Sequence, residues 1–456
     1  MSLPIHGAFS LSLRFRWVFC QLEVLRHCLP PSVRQTLDEL PDSLDETYER
    51  VLREIKKPNQ VHAHHLLQCL MVAVRPLTVE ELGEILAVEQ EAGGVPKLHS
   101  DWRWEDQEQA VLSACSSLIS VVEFFGHRTV QFSHFSVKEY LSSNRLATSS
   151  GDVSRYHILL ESAHATLAQA CLAILFQLDE HVDGFTINHI PLAEYSAEYW
   201  INHAQFGNVS TRIQVAMERL FDPEKRHFQL WVRVHDIDKD YWPNFSWALS
   251  SLIDAPGAAL YYAALCGFRG LVDRLLTRYP EHIHAMGGVH GTALHAASRG
   301  NHCEVIQAIV GHGGDVNVRS HCGKTPLHVA SPAGQLDAAR WLLQHGADVN
   351  ALDDERRNPL HVLMQEGRLG TVAPSHLTLS VDVPIPKLRN YHGASDPESR
   401  QRDQTAEVAR LLLKYGVDVD ANDQTGQTVG DIASARYPYA VGLLRDLSHD
   451  LVPSEN

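Results

Sequence analysis

The residues 320–325 read SHCGKT, and Gly323-Lys324-Thr325 has the ending of a phosphate-binding loop. Such a loop needs the full GxxxxGK[ST] pattern after a strand, because its backbone N–H groups wrap the phosphates while lysine neutralises them. Here Val318 stands where the first glycine is required, and this is the only Gly-Lys pair in the chain. No nucleotide site is expected. The run VHAHHLLQC places His62, His65 and Cys69 at i, i+3 and i+7, one face of a helix, which is a spacing that can hold zinc. A fourth ligand is not evident, and Leu66 and Met71 point to ordinary packing. His134 and Ser136 lie close together in SHFSVKEY, but without a GxSxG elbow the reading is helix capping by Ser136 with Glu139. No catalytic residue, metal ligand or cofactor-binding residue is expected.

The positions that carry these residues follow a ruler. GTALHAA, KTPLHVA and RNPLHVL put Thr292, Thr325 and Asn358 33 residues apart. GHGGDVN, QHGADVN and KYGVDVD put Gly313, Gly346 and Gly416 in register, the last gap being 37 residues longer. Thr or Asn is a helix N-cap, and Pro326 and Pro359 suit the first turn, where a missing N–H costs nothing. Leu294, Leu327 and Leu360 face a core. Gly334 and Gly367, with Asn301 one unit earlier, are expected to end the first helix of each pair in a left-handed turn. A second helix follows, as in LDAARWLLQHG and AEVARLLLKYG.

This pattern resembles an ankyrin array over residues 257–448. AALYYAALCGFRGLVDRLLTRYP is a degenerate first repeat. GQTVGDIASARYPYAVGLLRDL, with Gly430 for leucine and Asp431 for histidine, reads as a worn terminal cap. Five units exceed the three needed for a stable stack. The resemblance implies that His295, His328 and His361 make hydrogen bonds between neighbouring repeats. The insertion, residues 369–404, is Pro-rich and aperiodic and is expected to be a solvent-exposed loop projecting from one rim.

Before the repeats, three Ser/Thr-x-x-Glu boxes mark helix starts, at Ser43, Thr78 and Ser136. Helices in SLDETYERVLREI, VHAHHLLQCLMVAV and TVEELGEILAVE are followed by two β-type runs flanking Gly126. Three helices and a hairpin describe a winged helix over residues 43–150. Helices at 137–146, 157–178, 193–206, 211–221 and 227–234 then follow, leading through a connector over residues 151–256. The phrases RWVFCQLEVLRHCLPPSVRQTLDELPDSLDETYERVLREI, RPLTVEELGEILAVE and FSHFSVKEYLSS resemble the region after the NTPase domain in fungal NACHT-ankyrin proteins, NLR-like members of the STAND class. That resemblance implies that residues 1–42 are the end of an NTPase domain whose P-loop part is absent. Residues 449–456 are a tail. The fold class is therefore mainly α: a winged-helix-like and helical connector region followed by an ankyrin solenoid.

A hydrophobic content of 44% with 21% charged residues belongs to a folded globular chain. The net charge of −16 opposes general affinity for nucleic acid or anionic membrane. TVEELGEILAVE, the helix placed nearest to a DNA-reading one, carries four glutamates and no basic side chain, so a DNA-binding role is the lesser alternative. Eight cysteines without a CxxC pair suit reduced thiols in a cytoplasmic or nuclear setting. Arg14 and Arg16 interrupt the apolar N-terminus, against a secretory signal. The leading expectation is a non-enzymatic interaction scaffold or sensor that binds a protein through its concave face. Arg319, His321 and Lys324, then Asp353, Asp354, Glu355 and Arg356, then Asp423 and Gln424 are its candidate contact residues. The alternative is the regulatory part of an ATP-dependent STAND switch.

Overall fold

The computed structural model describes residues 43–90, 94–115, 118–124, 126–149, 151–178, 190–238, 254–367 and 397–436. The residues read as the NTPase remnant (1–42) and the tail (449–456) lie outside them. The chain divides into two compact units, Met1–Leu220 with Lys225–Asp236, and Phe221–Glu224 with Ile237–Asn456.

In the first unit, Ser43 accepts the Glu46 N–H and opens α1 (Leu44–Glu54), which buries Tyr48 and Leu52. Helix α2 (Gln60–Val72) is followed by the short strand β1 (Leu77–Thr78) and α3 (Val79–Leu86). Thr78 and Glu81 form the reciprocal capping box that their spacing predicts. A two-stranded ladder, β2 (Val88–Glu89) and β3 (Lys97–Leu98), leads to α4 (Gln107–Cys115). The hairpin β4 (Ile119–Phe124) and β5 (His127–Phe132) pairs Ile119 with Phe132 through to Phe124 with His127. Strand β1 joins it on the β5 edge, giving the sheet order β1-β5-β4.

This is the winged-helix arrangement, with one change of role. The helix directly before the hairpin is α4, not α3. Its sequence QEQAVLSAC has only a nine-residue span and little amphipathic contrast, so the periodicity did not reveal it. Two of the three α3 glutamates are also not solvated. Glu81 is buried against Arg75, and Glu84 is buried and accepts Arg103 at 2.9 Å.

The Ser136 box does not form. Helix α5 (Phe135–Leu141) starts earlier, with His134 as its N-cap accepting the Ser136 N–H. An imidazole with a free ring nitrogen can serve as that acceptor, which moves the boundary two residues back. The predicted 137–146 helix breaks at Ser143, which caps the separate turn α6 (Asn144–Ala147). The connector has α7 (Leu160–Leu175), α8 (Ala193–Ala204), α9 (Val209–Arg212), α10 (Gln214–Leu220) and α11 (His227–Val234). From Ala165 to Leu175 every side chain of α7 is buried, as in a central helix packed on several sides.

The second unit is a stack of helix pairs: α12 (Ala258–Leu265) with α13 (Arg269–Arg278), α14 (Ala293–Arg299) with α15 (Cys303–Gly311), α16 (Pro326–Ala330) with α17 (Leu336–Gln344), and α18 (Pro359–Glu366) with α19 (Pro397–Lys414), ending in α20 (Val429–Arg436). Strands β6 (Met286–Gly288) and β7 (Gly291–Thr292) pair before α14. Thr292, Thr325 and Asn358 are the N-caps, and each repeat's leucine is buried. Asn301 and Gly334 are left-handed, at φ 58° and 70°. Gly367 is not: its φ is −66°, an extended exit from α18. The insertion begins there, so the chain leaves the repeat instead of turning into the next helix. A Cβ on Gly367 would lie 2.3 Å from the Leu363 carbonyl oxygen, which gives the glycine a steric role. Part of the expected loop is also helical, since α19 already begins at Pro397; residues 369–396 lie outside the described residues. Among the described residues no helix is long and apolar enough to cross a membrane.

Candidate partner-binding surface

The hairpin tips are built by one device. Each is a five-residue loop closed by the N–H of its first residue on the carbonyl of its fifth: Ser320 to Lys324 at 2.8 Å, Asp353 to Arg357 at 3.0 Å, and Asp423 to Gln427 at 3.0 Å. The fourth residue of each takes a left-handed backbone: Gly323 at φ 68°, Arg356 at 60° and Gly426 at 79°. Glycine has no Cβ to clash there, whereas an arginine is strained by roughly 1–2 kcal/mol. We therefore expect Arg356→Gly to raise stability by about 1 kcal/mol, read as a higher urea midpoint at unchanged m; a lower midpoint would contradict the strain argument.

In the SHCGKT run, Gly323 supplies this turn, and a Cβ there would meet the Asp354 carboxylate at 2.3 Å. The Lys324 ammonium pairs with Glu366 at 2.7 Å, and the Lys324 carbonyl accepts both Ser320 N–H and the His295 Nε2 proton. Thr325 caps α16. Each feature of the apparent phosphate motif thus serves the repeat.

The tips are also linked to each other. Arg319 Nη2 donates to the Leu352 carbonyl at 2.6 Å, Asp354 N–H to that of Cys322 at 3.2 Å, and Gln424 N–H to that of Glu355 at 2.9 Å. Arg319, His321, Asp354, Glu355, Arg356 and Gln424 are exposed along this linked edge, while Lys324 is half-buried.

Asp353 and Asp423 differ from the sequence expectation, since both are buried. Asp353 accepts the N–H groups of Glu355 and Arg357 and the Nε and Nη2 of Arg357. Asp423 accepts the N–H groups of Thr425 and Gln427 and the Thr425 hydroxyl; these bonds outweigh desolvation and hold its carboxyl below the usual range. An aspartate opening a tight turn bonds its own backbone, so both shape the tips instead of meeting a partner. Arg357, whose role the sequence did not reveal, is buried and bridges Asp353, Glu355 and Gln365. Its four-residue spacing from Asp353 was the available signal.

His295 and His328 are fully buried, with Nδ1 at the Thr292 and Thr325 hydroxyls and Nε2 donating to the Lys324 and Arg357 carbonyls of the next repeat. His361 donates to the Ala421 carbonyl. In the last unit Asp431 replaces histidine and accepts the N–H and hydroxyl of Thr428. A carboxylate closes the capping box but has no proton to offer a further repeat.

The other chemical candidates separate. On α2, His62 is exposed while Cys69 is buried, its thiol pushed well above its ordinary range by desolvation. Among the described residues no group of three His, Cys, Asp or Glu could hold a metal ion. Ser136 Oγ lies 2.6 Å from His134 Nδ1 and 2.8 Å from the Tyr48 hydroxyl. That nitrogen also caps α5, so its lone pair is committed to the fold.

Comparison with known proteins divides along the same boundaries. Residues 48–151 match the winged helix domain of GPI inositol-deacylase, and residues 260–353 and 294–373 match the family described as ankyrin repeats, three copies. Over 298 residues the chain is 32% identical to "Azaphilone pigments biosynthesis cluster protein L" of Monascus ruber. That alignment covers 61% of this chain and 61% of the relative's length. The chain therefore carries a winged helix domain, similar to that of GPI inositol-deacylase, followed by ankyrin repeats.

Proposed function

We propose that this chain is a non-catalytic interaction protein whose ankyrin repeats capture a protein partner along the linked tips. The supporting observation is the tip ladder itself. Its exposed side chains stand on turns fixed by buried bonds, so binding would cost little ordering entropy. The tips mix charge, with Arg319 and His321 on one and Asp354, Glu355 and Arg356 on the next, which suits a polar protein surface of alternating sign. Nucleic acid is the less suitable partner. Helix α4 carries no basic side chain, and the hairpin's Arg128 is held by Glu80 at 3.3 Å and by Glu108.

The test is capture from lysate with the full chain, followed by identification of the bound protein. Replacing His321 and Arg356 with glutamate and Gln424 with lysine together should weaken its affinity about tenfold or more while leaving Tm within about 2 °C. Undiminished binding by this variant would remove the assignment to the tips.

A second reading is favoured by the order of the two matched families. A winged helix followed by ankyrin repeats fits the regulatory and sensing part of an ATP-dependent STAND switch, with an NTPase supplied upstream or by another chain. An in-frame GxxxxGK[ST] in the genomic sequence directly upstream would support it; a stop codon there together with no NTPase among captured partners would count against it.

A further inference from the structure

Within the first unit, one buried polar chain joins the winged helix to the connector. Val74, in the link between α2 and β1, donates its N–H to the Tyr195 hydroxyl of α8 at 3.1 Å. That hydroxyl lies 2.9 Å from His203 Nε2, and His203 Nδ1 lies 2.8 Å from His164 Nδ1 on α7. Tyr195 and His203 are fully buried. His164 is half-buried, with its ring stacked 4.0 Å from that of Phe206, which is itself 38% exposed.

One proton order makes every contact and leaves no buried proton without an acceptor. The Val74 N–H can only donate, so the phenol accepts it and gives its own proton to His203 Nε2. His203 then carries its proton on Nδ1 and donates to His164 Nδ1, leaving the His164 proton on Nε2. Both imidazoles are neutral in this arrangement. One added proton breaks it. Protonation of His164 at Nδ1 sets two N–H groups against each other across 2.8 Å. If His203 instead moves its proton to Nε2, the phenol proton loses its acceptor.

We propose that His164, His203 and Tyr195 form an acid-released latch, which ties the Val74–Thr78 segment to α7 and α8 at neutral pH and frees it when a proton enters at His164.

The surroundings offer no compensation. Arg75 places its guanidinium 5.0 Å over the Tyr195 ring and is held there by Glu81 at 2.6 Å and 2.9 Å. Cys69 of α2 and Cys171 of α7 lie close enough to the phenol to act on it electrostatically, and burial keeps both thiols protonated, Cys171 pushed up to about 12. Glu194, Glu198 and Tyr199 lie on α8, and the Glu161 carboxylate of α7 sits beside Gly207. No carboxylate bonds either imidazole among the described residues. Burial accordingly holds His164 at about 4, and His203, with His164 as a second cause, at about 3.

The segment freed is the one that delivers β1 to the sheet and Thr78 to the cap of α3, so the latch would couple connector packing to the winged helix. Hydrogen exchange on the full chain tests it, corrected for the intrinsic pH dependence of exchange. Protection of the amides from Val74 to Thr78 should fall about tenfold or more between pH 7.0 and 4.5, with the β4–β5 hairpin unchanged. His164→Asn supplies an acceptor that does not titrate and should keep the segment protected at pH 4.5. Tyr195→Phe should leave it unprotected already at pH 7.0, giving a second readout if the histidine variant does not fold. Equal loss in wild type and His164→Asn, no loss in wild type, or full protection of Tyr195→Phe at pH 7.0 would each overturn the latch.

Discussion

Lowering the pH from 7 to 4.5 is expected to weaken the ankyrin stack by about 5 kcal/mol through two histidines alone. His295 and His328 have no exposed surface, and burial brings each down to about 4 from the ordinary 6.5. The carbonyl contacts at Lys324 and Arg357 act in the opposite direction but do not offset desolvation. Above pH 6.5 each ring is neutral whether the chain is folded or not, so stability is fully present. Below it the unfolded chain takes a proton that the folded one refuses. Stability then falls by about 1.4 kcal/mol per unit for each ring until the folded value near 4 is reached. At pH 4.5 that amounts to roughly 2.6 kcal/mol for each histidine. Ordinary carboxylates begin to titrate only near the lower end of this window, so the slope above about pH 5.5 belongs to the histidines. Exchange protection of α14 and α16 amides, followed from pH 7 to 4.5, should fall with a slope of at least two protons, because burial also lowers His290, His302 and His361 in the same unit. His328→Asn should start lower at pH 7 and show a slope smaller by about one proton. A flat profile between pH 6.5 and 4.5 would mean that the rings are not held neutral by the fold.

The repeat could be read from the chain because its positions recur: a Thr or Asn cap, a leucine and a turn glycine at fixed intervals are each required by local backbone geometry. Thr292, Thr325 and Asn358 cap their helices for that reason, and the hairpin at Ile119–Phe132 follows equally from β-branched runs around Gly126. What stayed hidden depended on partners distant in sequence or on choices between equal local options. Helix α4 is short, and its burial is decided by α2 and α3. His134 competes with Ser136 for the same helix end, and the pattern S-x-x-E does not say which wins. The tip aspartates looked like surface charge because composition cannot show that Asp353 turns inward onto Arg357. The His164–His203 contact joins residues 39 apart and has no motif at all.

The largest single-residue effect should come from that inward aspartate. Asp353→Ala is expected to cost about 3–5 kcal/mol, the range for removing one member of a buried ion pair. The Asp353 side chain has no exposed surface and that of Arg357 only 10%. Arg357 donates to Asp353 Oδ2 through Nε at 2.9 Å and Nη2 at 2.7 Å, a bidentate geometry that fixes the guanidinium plane. Without the carboxylate the guanidinium keeps Glu355 at 3.0 Å and Gln365 at 2.8 Å, but loses the partner that offsets its burial. The backbone N–H groups of Glu355 and Arg357 lose their acceptor as well. Removing the stranded charge should restore part of the loss, so Asp353→Ala with Arg357→Leu is expected to be more stable than Asp353→Ala alone. Asp353→Asn keeps an acceptor for the turn but not the charge, and should fall between wild type and alanine. Urea unfolding of the four proteins measures these differences. If the double variant is no more stable than Asp353→Ala, the cost lies in the turn and not in the unpaired arginine. The same set separates shape from contact in partner capture. Asp353→Asn leaves the exposed Asp354, Glu355 and Arg356 chemically unchanged, so weaker capture by it would mean that the partner reads the geometry of the tip as well as its charges.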